Sequence, residues 1–389
     1  MKLLVEDASS LRGLCRNLRA AGVFGFDTEF IRERSYLPQL CLVQVATADL
    51  VALIDPFSVQ IDEFWRLLLD PTLEKVVHAG QQDIEMCYLS TGNTPANIFD
   101  VQVAAAFTGL PYPMSYHSLV QRIRRVKLVH DATFSEWSQR PLTKGQLGYA
   151  ADDVLHLVPL KEKLDRKLCK LGRAAWMAEE MQALVTEEQY AAHPQELWRK
   201  VRGRKQLGRR ELAVLRELAQ WRESAAEQAD LPPRTFLRDE AMSAVARQMP
   251  RTMDQLQATR GFPKPLARRA GKAVLRAVRK GRETPEAKSP HAVAEKEHSP
   301  SNKMLTNLAT AIGESMCLWQ GLSHNLLASQ SDYAELVRSL QRKGPDLGRL
   351  KLMTGWRKEF AGMGITEVLT GKRNIRVKSL PKGPRLELA

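Results

Sequence analysis

Cysteine is scarce in this chain. The five residues, Cys15, Cys41, Cys87, Cys169 and Cys317, are odd in number and widely spaced, and none falls in a C-x-x-C pair. That pattern argues against a disulfide framework and against a zinc site, and it fits free thiols in a reducing cytosol. Long apolar runs are also missing. No stretch reaches the roughly 18 residues of a membrane span, and Glu6 and Asp7 stand where the apolar region of a signal peptide would have to lie. A cytoplasmic protein with no membrane partner is expected. Apolar residues as such are not lacking: they make up 44% of the chain, which excludes wholesale disorder.

The 389 residues suggest two or three domains, at about 100–200 residues per domain. Lys and Arg number 58 against 44 Asp and Glu, a net charge of +14. Such an excess favours a polyanionic partner, most often nucleic acid. Its distribution says more than its total. Residues 1–170 hold 19 bases and 20 acids, whereas residues 171–389 hold 39 and 24. A nearly neutral front is joined to a strongly basic rear.

The front reads as strands followed by helices. Val23 to Phe30, Cys41 to Thr47, Val51 to Ile54 and Lys75 to Ala79 have strand character, with Ala48-Asp49 as a hairpin turn. Ile61 to Leu69, Gln81 to Leu89 and the continuous stretch Leu142 to Leu168 have helical spacing. An α/β domain with a mixed sheet is expected. Strand signals end near residue 203. Glu211 to Ala229, a helix from Asp239 stopped by Pro250, Thr252 to Ala258 and a basic helix to Arg279 form a compact all-α unit. Thr284 to Asn302 is rich in Pro, Ser, Lys and Glu and reads as a linker. Lys303 to Gly371 is helical again. The last residues carry six bases and two prolines, for which a disordered tail is the default expectation. The resulting division is 1–202, 203–283, 284–302, 303–373 and 374–389.

The sharpest chemical signal is Phe26-Asp27-Thr28-Glu29-Phe30. A strand has period two, so Asp27 and Glu29 project from one face. Two carboxylates beside a hydrophobic strand are costly to desolvate without a cation. By itself a D-x-E pair is commonly a solvated strand end. Two further acids change the weighing. Asp83 opens a helix within His78-Ala79-Gly80-Gln81-Gln82-Asp83, and Tyr149 shares a helix face with Asp153 four residues on. Asp152 competes with Asp153, and spacing does not separate them. Four carboxylates from separate elements suit two hard divalent ions, Mg²⁺ or Mn²⁺, about 3.5–4 Å apart, and in-line displacement at phosphorus. Tyr149 would then orient the attacking water, since a phenol of pKa about 10 is a poor base.

Asp27-x-Glu29, Asp83 and Tyr149-x-x-x-Asp153 resemble the three exonuclease motifs of the DEDD superfamily in its tyrosine subclass. The histidine subclass carries His five residues before the last Asp, where Gly148 stands here. The surroundings are similar to the ribonuclease D family: Tyr36-Leu37-Pro38, Leu40-Cys41-Leu42-Val43-Gln44, His78-Ala79-Gly80, and Arg140-Pro141-Leu142 with Gln146. Farther on, Leu215, Trp221-Arg222, Ala225, Leu231-Pro232-Pro233, Asp239 and Pro250 resemble an HRDC domain. Residues 303–371, with Gly355-Trp356-Arg357, resemble a more divergent second copy.

The resemblance implies a ribonuclease H-like α/β exonuclease domain followed by two all-α HRDC-like units. It implies a two-metal 3′→5′ exoribonuclease that trims structured RNA, notably tRNA precursors, and releases nucleoside 5′-monophosphates; separately, a monomer is expected. Asp27, Glu29, Asp83 and Asp153 would be the metal ligands, with Tyr149 catalytic beside them. The rivals are a DNA-directed exonuclease and an RNA-binding protein with an inert exonuclease domain.

Phe30, Tyr36, Gln44 and His78 are candidate contacts to the RNA end, with core packing as the competing role. Two basic runs are candidate phosphate contacts. Arg199 to Arg210, which includes Arg199 and Lys200, has seven bases in twelve residues. Lys264 to Arg282 has eight bases and no acid, among them Arg268, Arg269, Lys272 and Arg276. One departure from the family stands at His130, seven residues before Trp137 of Ser135-Glu136-Trp137, where a lysine is usual.

Overall fold

The computed structural model describes residues 2–128, 136–191, 193–290, 299–342, 344–378 and 385–389, so His130 lies outside the described residues. The chain divides into two compact units. One holds residues 1–29, 40–190 and 298–389, and the other holds 30–39 and 191–297.

The first unit is built on a six-stranded sheet. Its strands are β1 (Lys2–Val5), β2 (Val23–Ile31), β3 (Gln39–Ala46), β4 (Val51–Ile54), β5 (Glu74–Val77) and β6 (Ile98–Asp100), in the order β1-β4-β3-β2-β5-β6. β2–β5, β5–β6 and β1–β4 run parallel and β3–β4 antiparallel, so the sheet is mixed as expected. The β3–β4 turn is closed by Thr47 N–H donating to Leu50 O at 2.9 Å. β1 and the helix Ala8–Ala21 are additions to the sequence reading. A four-residue edge strand is too short to show a period.

Phe24 and Phe26 face the core beside Phe64 of the helix Asp62–Leu69, with ring centroids 6.5 and 6.3 Å apart. Gly25, on the other face of β2, lies against Leu157; a Cβ there would meet Leu157 Cβ at 2.7 Å. The missing side chain lets that helix close on the strand.

The stretch Leu142 to Leu168 is not one helix. It divides into Lys144–Leu155 and Leu157–Lys170 at His156. Pro159 is the reason: it has no N–H to give Leu155, and its ring crowds that carbonyl. Residues 303–373 pack into the same core as the sheet. Trp356 stacks on Trp176 at 5.2 Å and meets Phe107 edge-on at 5.1 Å. Arg357 Nη2 donates to Glu180 Oε2 at 2.9 Å, and Trp356 N–H to Glu179 Oε2 at 3.0 Å.

The expectation of a disordered tail is corrected. β7 (Ile375–Lys378) and β8 (Arg385–Leu388) pair antiparallel. Ile375, Leu386 and Leu388 pack against the core, and Leu386 N–H donates to Ser315 Oγ at 3.0 Å. A few apolar residues at period two suffice to dock a strand pair, and composition does not reveal them. No described helix is long and apolar enough to cross a membrane.

The second unit is helical. Arg209–Gln228 and Lys264–Glu283 lie close because Gly281 has no side chain; a Cβ there would meet Val214 Cα at 2.4 Å. Residues 191–202 belong to this unit, and Trp198 and Val201 lie in its core. Arg222 and Asp239 form a buried pair, Nη1 to Oδ1 2.7 Å, with side chains 7% and 3% exposed. Asp239 also accepts Arg202 N–H at 3.1 Å. Burial alone would raise its pKa, but these hydrogen bonds hold it below the usual carboxylate range.

Removing Arg222 leaves a buried carboxylate whose one other described ion-pair partner is the exposed Arg234. Arg222→Ala is expected to lower the protection of helix Arg209–Gln228 amides by about 3 kcal/mol in hydrogen exchange of the full chain. A depressed carboxylate stabilises above its unfolded pKa of about 3.9 and loses that stabilisation as pH falls through the folded value. The acid-induced loss of protection should therefore be shallower in Arg222→Ala, and an unchanged acid limb would contradict this account.

Candidate active site

The site begins in the second half of β2. Asp27 and Glu29 stand there as alternate residues, both half-buried, on either side of the buried Thr28. The helix Lys144–Leu155 delivers the third carboxylate. It is started by Thr143, whose hydroxyl accepts Gln146 N–H at 3.2 Å while Gln146 Oε1 accepts Thr143 N–H at 2.9 Å. The structure separates the two aspartates that spacing left open. Carboxylate oxygens of Asp27, Glu29 and Asp153 lie within 4.8 Å of one another. Asp152 is outside that cluster, and its backbone carbonyl accepts the Tyr116 hydroxyl at 3.1 Å.

Asp83 is placed by the helix Gln81–Thr91, in whose first turn an acid is favoured by the helix dipole. It is 5% exposed and accepts the Thr28 hydroxyl at 2.5 Å. It is not one of the three clustered carboxylates, but its charge raises the pKa of both Asp27 and Glu29. The approach to it runs through Ala79-Gly80. Asp100 accepts the N–H groups of Ala79 and Gly80 at 3.1 and 3.0 Å and caps the next helix through Gln102 N–H at 2.8 Å.

Burial and mutual repulsion dominate the electrostatics. Asp27 is pushed well above the carboxylate range by burial, then by Asp83, Asp153 and Glu29. Burial, with Asp153 and Asp83, pushes Glu29 to about 8. Burial lifts Asp83 to about 7 against the Thr28 bond, and Asp153 to about 6 against the Tyr149 bond and the charge of His117. Four acids so placed cannot all ionise cheaply without a cation. The donors are all hard oxygens, which fits Mg²⁺ or Mn²⁺. Tyr149 donates its hydroxyl to Asp153, and burial with the nearby carboxylates raises its pKa above that of a free phenol.

The other candidates are placed as follows. His78 uses Nε2 on Met114 O at 2.9 Å and packs edge-on against Tyr116. Gln44 is fully buried on β3 with neither amide atom paired, so the expectation of an RNA contact there is corrected: the side chain has no accessible surface. Phe30 lies under the Arg32 guanidinium at 4.7 Å. Tyr36 donates its hydroxyl to Glu223 at 3.0 Å, and its N–H to Asp230 at 3.1 Å. Arg199 pairs with Glu196 and covers Trp198, and Lys200 is exposed. Arg268, Arg269, Lys272 and Arg276 are all exposed on one helix, while Leu266, Val274 and Val278 of that helix are buried. The sequence reading missed His117 beside Asp153 and Trp137 beside Tyr149, because neither stands at a fixed spacing from the acids.

Comparison with known proteins agrees with this geometry. Residues 3–169 match the family described as 3′-5′ exonuclease, and residues 211–278 match the HRDC domain. The chain is 34% identical to ribonuclease D of Granulibacter bethesdensis over 95% of its own length and 93% of that protein's. It is 33% identical to ribonuclease D of Gluconacetobacter diazotrophicus over 97% of each. The crystal structure of Escherichia coli RNase D, described as an exoribonuclease involved in structured RNA processing, superposes with a TM-score of 0.83 at 29% identity. That likeness covers 95% of this chain and 99% of the other. With the clustered acids, the mixed sheet and the helical rear all accounted for, this chain belongs to the ribonuclease D family of 3′→5′ exoribonucleases.

Proposed function

We propose that the enzyme trims the 3′ ends of structured RNAs, tRNA precursors above all, by hydrolysis that releases nucleoside 5′-monophosphates. The observation that carries this reading is the convergence of Asp27, Glu29 and Asp153, with Asp83 beside them and Tyr149 bonded to Asp153. These four acids would hold two divalent ions, Mg²⁺ or Mn²⁺. When bound, such ions acidify a water and neutralise charge on the leaving oxygen. Tyr149, kept protonated by its raised pKa, serves as a hydrogen-bonding group that orients the water and not as a base. Asp153 holds that phenol in place as well as contributing to the cluster.

Capture of the RNA body falls to the basic rear, and a monomer in the cytoplasm suffices for it. The helix Lys264–Glu283 buries one face and offers Arg268, Arg269, Lys272 and Arg276 on the other. Lys272, Arg276, Arg279 and Arg282 also line a cavity of about 440 Å³ with Arg251 and no acid. Such a surface grips phosphates without reading bases. Residues 303–373 are read as a second, divergent HRDC-like unit whose Gly355-Trp356-Arg357 turn serves docking.

Three outcomes test this reading. A 5′-labelled tRNA precursor should be shortened from its 3′ end in Mn²⁺ or Mg²⁺. Asp27→Ala should lower that rate by at least about a thousandfold with RNA affinity little changed; a large affinity loss would refute the division of labour.

Asp27→Asn removes one of the repelling charges. The metal-free variant should melt about 2–4 °C higher than the parent, for a relief near 1 kcal/mol. Metal should raise the melting temperature of the parent only, and equal metal shifts in both proteins would exclude Asp27 as a ligand. The triple variant Arg268→Glu, Lys272→Glu, Arg276→Glu should raise KM for structured RNA. It should also flatten the salt dependence by about two to three units of log K per log salt. Its kcat on short single strands should not move, and a fall in that kcat would place these residues elsewhere in the mechanism.

A further inference from the structure

Arg140 sits on the loop before the helix Lys144–Leu155 and uses every nitrogen of its guanidinium. Nε donates to Asp55 Oδ2 at 2.5 Å, and Nη2 to Asp55 Oδ1 at 2.8 Å and to Cys41 O at 2.7 Å. Nη1 donates to Trp137 O at 2.8 Å and to Gln139 O at 2.9 Å. Asp55 is 1% exposed and directly follows β4, and Cys41 lies on β3. The guanidinium also covers the Phe57 ring at 4.6 Å. Arg140 thus ties its loop to two neighbouring strands of the sheet at fixed points.

The same loop is tied to the helix that carries Tyr149. Gln146, which helps cap that helix, donates Nε2–H to Glu136 O at 3.2 Å. Between the two anchors sits Trp137, 5% exposed, its ring 6.1 Å from the Tyr149 ring and tilted by 41°. The carbonyl of that Trp137 is one of the groups Arg140 holds. A tyrosine hydroxyl lies at the far end of a long lever, so a small tilt of the ring moves the oxygen far more than it moves Cβ. Trp137 is the aromatic ring beside that lever.

We propose that Arg140 is a positioning residue for the reaction: by clamping Trp137 between the sheet and the Lys144–Leu155 helix, it sets where the Tyr149 hydroxyl meets Asp153 and the attacking water. This rests on the water-orienting role of Tyr149 given above. The chemistry of the clamp demands arginine. A planar fork reaches Asp55 with two parallel bonds while its third nitrogen reaches Trp137, whereas a lysine ammonium presents its donors from a single point.

The test is a double-mutant cycle in single-turnover digestion of a 5′-labelled RNA, with wild type, Arg140→Lys, Tyr149→Phe and the double variant. Arg140→Lys should slow the cleavage step by about ten- to a hundredfold, the scale of a 1 Å misplacement. RNA KM and the half-saturating Mn²⁺ concentration should stay unchanged, because neither the basic face nor the carboxylates are touched. In the Tyr149→Phe background the same substitution should cost less than about threefold, because the hydroxyl it positions is gone.

If Tyr149→Phe slows cleavage but Arg140→Lys does not, the proposal is overturned. It is equally overturned if the two effects multiply in full, which would make Arg140 merely structural. If Tyr149→Phe itself leaves the rate intact, the reading of Tyr149 has failed and the inference goes with it. Should Arg140→Lys melt below the assay temperature, Trp137→Leu takes its place in the cycle. That variant leaves the guanidinium bonds to Asp55 and Cys41 intact and removes only the aromatic ring. It is expected to show the same loss of additivity, and full multiplicativity there would overturn the proposal as well.

Discussion

Mutual repulsion among carboxylates is the constraint on which the catalytic half of this protein depends. Asp27, Glu29 and Asp153 converge within 4.8 Å, with Asp83 adding its charge from a buried position. Left to themselves these groups would separate or take up protons. The scaffold does not let them separate. β2 fixes Asp27 and Glu29 by its pleat, Thr28 holds Asp83, and the absence of a side chain at Gly25 lets the following helix close on the strand. Bringing these acids together costs electrostatic free energy that the proposed divalent ions would offset. Stability has been yielded where function requires it.

The remaining charges follow from the same logic at longer range. Residues 1–170 are almost neutral overall, so the excess of bases lies in the rest of the chain. Bases are concentrated where helices can bury an apolar stripe and leave the long side chains outside, as Lys264–Glu283 does with Val274 and Val278 inward and Lys272 and Arg276 outward. Where arginine is buried it has another use. Arg222, Arg357 and Arg140 each hold a buried or half-buried acid or carbonyl and serve the fold. Net charge alone does not distinguish the two kinds.

The local sequence made a good part of this legible. A strand period placed Asp27 and Glu29 on one face, helical spacing joined Tyr149 to Asp153, and a turn signal at Ala48-Asp49 ended β3 before β4. These are short-range rules that depend on backbone geometry within a few residues. Failures came where a distant partner decided the outcome. Gln44 lies inside the protein. Ile375–Lys378 and Arg385–Leu388 pair as strands because an apolar surface is there to receive them. The long helix from Leu142 broke at Pro159, a local signal that helical periodicity concealed.

By itself, then, the sequence determined which residue types were available and how they faced along each element: two acids on one strand face, a phenol and an acid on one helix face, bases along another. Only the tertiary structure decided which of Asp152 and Asp153 joins the cluster, since one residue on a helix is a rotation of about 100° and spacing does not say which face the sheet will meet. It also decided that Gly355-Trp356-Arg357 docks onto Glu179, Glu180 and Trp176, that Trp137 packs near Tyr149, and that Arg140 bonds Asp55 and Cys41. The Trp356 and Arg357 bonds join residues 177 apart in the chain, and only the packed core brings them within reach.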